Sequence, residues 1–134
     1  MKLIVCLDDG GGMAFNNRRQ SRDAHLIADL RAHLSGAPLW ILPYSAPLLA
    51  DSGISLSVRE DAPSAAGLDD FCLLETTDPS PFFERVCELI VYRWNRRYPA
   101  DLVFCADLSG FTLTESTEFV GSSHEKITKE VWKK

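Results

Sequence analysis

Apolar residues along this chain fall into short runs separated by polar, glycine-rich or proline-rich breaks. Lys2 to Leu7 is rich in Leu, Ile and Val with no alternation, the pattern of a strand buried on both faces. Asp8 to Gly12 is turn chemistry with three successive glycines, and Phe15 to Gln20 reads as a second loop. Ser21 stands where an N-cap is expected, ahead of a helix carrying Leu26, Ile27, Leu30 and Leu34 on one face. Gly36 is its natural stop. Pro38 to Leu42 predicts a second buried strand, and Pro43 ends it. Ser45 is placed to cap a short helix over Ala46 to Ala50.

Ile54 to Val58 alternates like a half-exposed strand, whereas Arg59 to Asp69 reads as a mobile loop. Phe71 to Leu74 is another apolar run. Asp78-Pro79-Ser80-Pro81 opens one or two helical turns ending near Val86. Cys87 to Trp94 would extend that helix by position, but Leu89-Ile90-Val91-Tyr92 is β-branched and aromatic and predicts a strand. Leu102 to Ala106 predicts a further strand. Thr112 to Phe119 and Lys126 to Trp132 alternate across Gly-Ser-Ser-His and predict a C-terminal hairpin. This order implies a three-layer α/β domain over residues 1–134, with a mostly parallel central sheet and a C-terminal antiparallel hairpin. No repeat or long linker divides it.

The formal charge of -5 argues against a broad electrostatic grip on nucleic acid, so any basic contact must be local. The first apolar run is too short for a signal peptide or a membrane span. Cys6, Cys72, Cys87 and Cys105 are widely spaced without a CxxC pair, which reads as free thiols in a reducing, cytoplasmic setting.

The order of elements, taken with the residues at both ends, resembles dihydrofolate reductase. Lys2 to Asp9 followed by Gly12-Met13 and Asn16-Asn17 is similar to that family's first strand and active-site loop. Asp101-Leu102-Val103-Phe104 and Asp107-Leu108-Ser109-Gly110-Phe111-Thr112-Leu113 resemble its late strand and the return into its hairpin. The resemblance implies a substrate-side cleft built from Asp8, Met13, Asn16, Arg18, Arg19, Gln20 and Asp23. Four departures bear on the reaction. Glu75-Thr76 stands in place of the Gly-Gly that approaches the cofactor pyrophosphate, and Pro43-Tyr44-Ser45 replaces the Gly-Arg-Lys/His-Thr phosphate site. The tryptophan of the substrate loop is missing from Arg18-Arg19-Gln20, and the helix before the strand of Phe71 is absent. A carboxylate at residue 75 would repel phosphate, so no cofactor is expected.

The chain is also similar to a set of short bacterial proteins that share its Arg-Arg-Gln-Ser, Tyr-Arg-Trp-Asn-Arg and Gly-Ser-Ser-His-Glu-Lys stretches and are often labelled ribonuclease Z. That label implies a zinc hydrolase with a clustered His-x-His-x-Asp-His motif. The chain carries only His25, His33 and His124, with no such cluster, so no metal site is expected.

Four groups of residues carry candidate chemistry. Asn16, Asn17, Arg18, Arg19, Gln20, Ser21, Arg22 and Asp23 run into a helix N-terminus, where backbone N–H groups and arginine forks suit a small anionic ligand. A solvated loop with an ordinary cap is the alternative. Asp23 lies nearest to the reductase family's acid; in an apolar pocket its pKa would rise, and as a first-turn acid it would instead favour the helix dipole. His25, Asp29 and His33 share a helix face, but at a 1.5 Å rise they span about 12 Å, too far for one ion. Arg93, Arg96 and Arg97 interleave with Tyr92, Trp94 and Tyr98, which suits nucleotide stacking or, equally, a strand ending in a turn. Ser122, Ser123 and His124 read as a hairpin turn with a secondary role lining a cleft. Three readings follow in order: a ligand-binding module without hydride transfer, an enzyme of another class, and a macromolecular interaction module.

Overall fold

The computed structural model describes residues 1–134. Its centre is a seven-stranded sheet whose strands run, from one edge to the other, 56–58, 39–41, 71–73, 2–7, 88–93, 127–133 and 112–119. The parallel part comprises β1 (Lys2–Leu7), β4 (Leu39–Ile41), β5 (Leu56–Val58), β6 (Phe71–Leu73) and β7 (Glu88–Arg93). The antiparallel strands β9 (Thr112–Phe119) and β10 (Ile127–Lys133) close one edge. The strand expected at 87–94 is therefore present and pairs on both sides, with β1 and β10.

Side chains of β1 alternate between two cores. Leu3, Val5 and Leu7 join one cluster and Ile4 the other, as β7 sends Leu89 and Val91 one way and Ile90 and Tyr92 the other. Helix α1 (Ala24–Leu34) covers the second cluster with Leu26, Leu30 and Leu34. Each such leucine contributes about 1.5–3 kcal/mol through burial, enough to fix the helix on the sheet. Leu49 of α2 (Ala46–Leu49) packs beside them. The opposite face is covered by α3 (Ala62–Ala65), β2 (Gly12–Phe15), Val86 and Phe104. The layers are those expected from the sequence.

Six local expectations differ from the structure. The cap of α1 is Asp23, whose carboxylate accepts from the N–H groups of His25 and Leu26; Ser21 lies two residues outside and turns elsewhere. The stretch 15–20 is not an open loop. β2 pairs antiparallel with β3 (Arg18–Arg19), and Asn16 and Asn17 form the two-residue turn at φ 51° and 58°. Two successive left-handed residues are what such a turn requires, and asparagine tolerates them. Arg59 to Asp69 contains α3, held because Ala62, Pro63 and Ala66 are buried and the Arg85 guanidinium donates to the Pro63 and Ala66 carbonyls. That short helix also fills the place before the Phe71 strand where none was expected. β8 (Leu102–Val103) is only two residues long and pairs with β2 in a separate three-stranded sheet, because Phe104 turns into the core. Ser45 caps nothing: it is buried at the end of a 3-10 turn over Pro43–Ser45, and its hydroxyl donates to Glu75.

Candidate functional site

The parallel strands β1, β4, β6 and β7 share one carboxyl-terminal edge, and the polar residues that follow them meet there. These are Asp8 after β1, Ser45 after β4, Glu75 after β6, and Trp94 and Tyr98 after β7. In open parallel sheets this edge is where ligand sites form, since successive loops diverge and leave a crevice. Residues 16–23 and the β9–β10 connection close over it.

Asp23 is the most connected group at this edge. Its Oδ1 accepts from the backbone of His25 at 2.9 Å, Leu26 at 3.2 Å and Ser122 at 2.9 Å. Its Oδ2 accepts from Ser123 N at 2.9 Å, Ser123 Oγ at 3.3 Å and His124 Nδ1 at 2.9 Å. Burial pushes the Asp23 carboxyl up, but the N–H groups of Ser122 and Ser123, the His124 ring and the N–H of Leu26 outweigh it. They hold the group well below the usual carboxylate range. The pocket expectation of a raised pKa is overturned, and the first-turn reading was nearer: Asp23 is an ionised, fully satisfied cap. On the far side of the ring, His124 Nε2 lies 2.8 Å from the Tyr98 hydroxyl and 3.2 Å from Ser21 Oγ. Trp94 stacks on the imidazole at 4.5 Å between centroids, 25° off parallel. Gly121-Ser122-Ser123-His124 is thus a connection docked on the start of α1, not a free hairpin turn.

A second network sits across the same edge. Arg19 donates Nε and Nη2 to Glu75 at 2.8 and 3.0 Å, and Ser45 Oγ donates to the same carboxylate at 2.7 Å. Tyr44 accepts from Arg19 N at 2.9 Å and carries the guanidinium over its ring at 4.6 Å. The Glu75 hydrogen bonds raise the Arg19 pKa against the opposing effect of burial. Arg19 was expected among the anion-binding arginines; its charge is instead neutralised inside the protein. Gln20 is drawn inward as well, donating Nε2 to Asp8 at 3.0 Å, while its Oε1 is buried without a donor. Asp8 also accepts from the N–H groups of Gly10, Gly12 and Tyr98. Burial favours its neutral form, but these four donors outweigh burial and lower its pKa.

What remains open is a cleft of about 430 Å³ lined by Phe15, Asn16, Arg18, Arg19, Gln20, Tyr98 and Pro99. Arg18 is exposed there and pairs with no carboxylate, and Phe15 and Tyr98 present aromatic surface. A second cavity of about 30 Å³ lies between α1, α2 and the sheet; its polar lining is Ser21, Arg22, Asp23 and Glu75. Of the eight loop residues, Asn16, Arg18, Arg19 and Gln20 therefore meet in one cleft, Ser21, Arg22 and Asp23 line another space, and Asn17 is an exposed turn residue.

The other candidates are dispersed. Arg93 pairs with Glu130 at 3.0 Å, and Arg96 lies over Tyr98. Arg97 is exposed, and Tyr92 and Trp94 are buried, so the interleaved aromatics do not form a stacking platform. His25 bonds the Val120 carbonyl, Asp29 holds Tyr92 and Lys129, and His33 packs edge-on against Phe71. No three His, Cys, Asp or Glu side chains are grouped so as to hold one metal ion. Sequence reasoning missed Tyr98 and Trp94 as ring partners of His124, and the Arg19–Glu75 pair. The available signal for the pair was a glutamate directly after an apolar strand, since a carboxylate so placed needs a cation.

A mostly parallel sheet covered on both faces, closed by a C-terminal hairpin and carrying its crevice at the strand carboxyl ends, defines a dihydrofolate reductase-like α/β fold. Among solved structures, the dihydrofolate reductase of Enterococcus faecalis, complexed with NADP(H) and RAB-propyl, aligns with a TM-score of 0.68 over 98% of this chain and 94% of that one. Identity across the alignment is 9%, so the likeness establishes the fold. No protein-family model matches the sequence. No curated protein matches it.

Proposed function

We propose that the chain binds a small, ring-bearing anion, nucleotide-like in character, in the cleft beside Arg18, without NADPH-dependent reduction. The observation that carries this reading is Arg18 itself, an exposed cation without a carboxylate partner in a cleft that Phe15 and Tyr98 also line. A phosphate or carboxylate would meet its guanidinium in bidentate fashion, and a ring would stack on Phe15 or Tyr98. The structural neighbour is complexed with NADP(H). Of the residues that the reductase resemblance sets beside the cofactor phosphates, 43–45 and 75–76, Tyr44, Ser45 and Glu75 are engaged with Arg19 in one network. A phosphate arriving there would face a carboxylate already holding its cation.

The test is a thermal-shift screen with inorganic phosphate, adenosine and guanosine monophosphates, folate and NADPH, on wild type and Arg18→Ala. At least one of the first four should raise the melting temperature of wild type only, and NADPH should give no shift. A screen without a hit, an Arg18→Ala protein that responds like wild type, or measurable NADPH affinity overturns the proposal.

A further inference from the structure

The geometry points to a nucleophilic site separate from the Arg18 cleft: Ser21, His124 and Asp23 form a triad that hydrolyses small esters whose short acyl group enters the cavity beside Ser21. Ionised Asp23 accepts only, so the 2.9 Å contact requires the proton on His124 Nδ1 and leaves Nε2 as a base. Ser21 Oγ lies 3.2 Å from that nitrogen. The orienting group is thus bonded to the base, and the base to the hydroxyl, in the order nucleophilic catalysis needs. Trp94 stacked on the imidazole and the five other hydrogen bonds on Asp23 fix the arrangement.

Ser21 also lines a cavity whose walls include Leu26, Ile27, Leu30, Leu48 and Leu49. About 30 Å³ is far less than the roughly 150 Å³ that takes up benzene, which limits an acyl group to the size of acetyl. Arg22, itself exposed, and the Glu75 carboxylate also line this cavity.

In the reaction, Ser21 Oγ bonds to the ester carbonyl carbon while its proton passes to His124 Nε2. Collapse breaks the bond to the leaving alkoxide, which takes that proton and departs as the alcohol. Water then attacks the acyl-serine and gives its proton to Nε2. Release of the acid returns the proton to Ser21. The Tyr98 hydroxyl, 2.8 Å from Nε2, competes with Ser21 for the one lone pair and acts as a brake in the resting state.

p-Nitrophenyl acetate, with a fluorophosphonate as covalent probe, tests the triad. Wild type should release nitrophenolate in a burst and become labelled on Ser21 by peptide mass. Ser21→Ala keeps the Asp23 cap and the His124 contact, so it should melt like wild type, lose the burst and label, and turn over at least about a hundredfold more slowly. Tyr98→Phe, with the competing hydroxyl gone, should hydrolyse faster than wild type. Absence of turnover in wild type, unchanged turnover in Ser21→Ala, or a label on another residue overturns the triad. So does activity lost in Tyr98→Phe but kept in Ser21→Ala, which would make the phenol the reacting group. None of these outcomes depends on whether Arg18 binds an anion.

Discussion

Truncating Asp23 removes the acceptor on which the start of α1 and the β9–β10 connection both depend. In Asp23→Ala the helix loses its cap, which costs about 1 kcal/mol. The Ser122 and Ser123 N–H groups and His124 Nδ1 lose their common partner in a buried setting, and a stranded donor costs about 1–3 kcal/mol. Water entering the vacated volume recovers part of this. The expected loss is about 3–5 kcal/mol, which for a domain of this size lowers the melting temperature by more than about 10 °C. Asp23→Asn should cost less, about 2 kcal/mol, since the amide oxygen still accepts on one side while its NH2 faces donors on the other.

Urea unfolding of wild type and Asp23→Asn between pH 7 and pH 3 separates charge from shape. The folded pKa of Asp23 is depressed, so its carboxylate stabilises the fold fully above the unfolded value of about 3.9. As pH falls below that value the unfolded chain takes up a proton that the folded chain refuses, and the stabilisation drains away. The gap between wild type and Asp23→Asn should therefore be constant near neutrality and narrow steadily in acid. A gap below about 0.5 kcal/mol at pH 7, or one that does not narrow in acid, would refute the assignment of Asp23 as an ionised anchor.

Gly121→Ala places a Cβ 2.5 Å from Asp23 Oδ2 and 2.9 Å from the His124 carbonyl, so the connection must lift off the helix; equilibrium unfolding should show a loss of about 1–3 kcal/mol. Glu75→Gln leaves Arg19 largely buried without its counter-charge, and urea unfolding should show a loss of about 3 kcal/mol, less in high salt. Burial, and then the Glu75 charge, pushes the Cys6 thiol pKa up, while Cys105 is exposed. A thiol-reactive dye at pH 8 should therefore modify Cys105 quickly in the native protein and reach Cys6 only on unfolding.

Long apolar runs were legible because their burial is written into local pattern: β1, β7 and the leucine face of α1 lie where the sequence places them. β2, β3 and β8 were not, because strands of four, two and two residues exist only through partners distant in sequence. The Asn-Asn turn is the one local clue to the hairpin. The site shows the same division. Arginine next to arginine suggests one basic grip, yet within the same cleft Arg19 is bound to Glu75 while Arg18 pairs with no carboxylate. Nothing near residue 23 announces a histidine 101 positions further on.

That separation also accounts for how the two ends of the chain are held together. β9 is an edge strand exposed along nearly its whole length and buries little apolar surface of its own. Its connection to β10 therefore needs another anchor, and Asp23 supplies one through two backbone N–H groups, a hydroxyl and an imidazole. A neutral acceptor would satisfy fewer donors and would bind each of them less strongly. The carboxylate is affordable in a buried site only because the helix N-terminus contributes two further N–H groups and the favourable end of its dipole. Capping α1 and fastening the C-terminal hairpin consequently share one carboxylate: a substitution of Asp23 uncaps the helix and frees the connection at once.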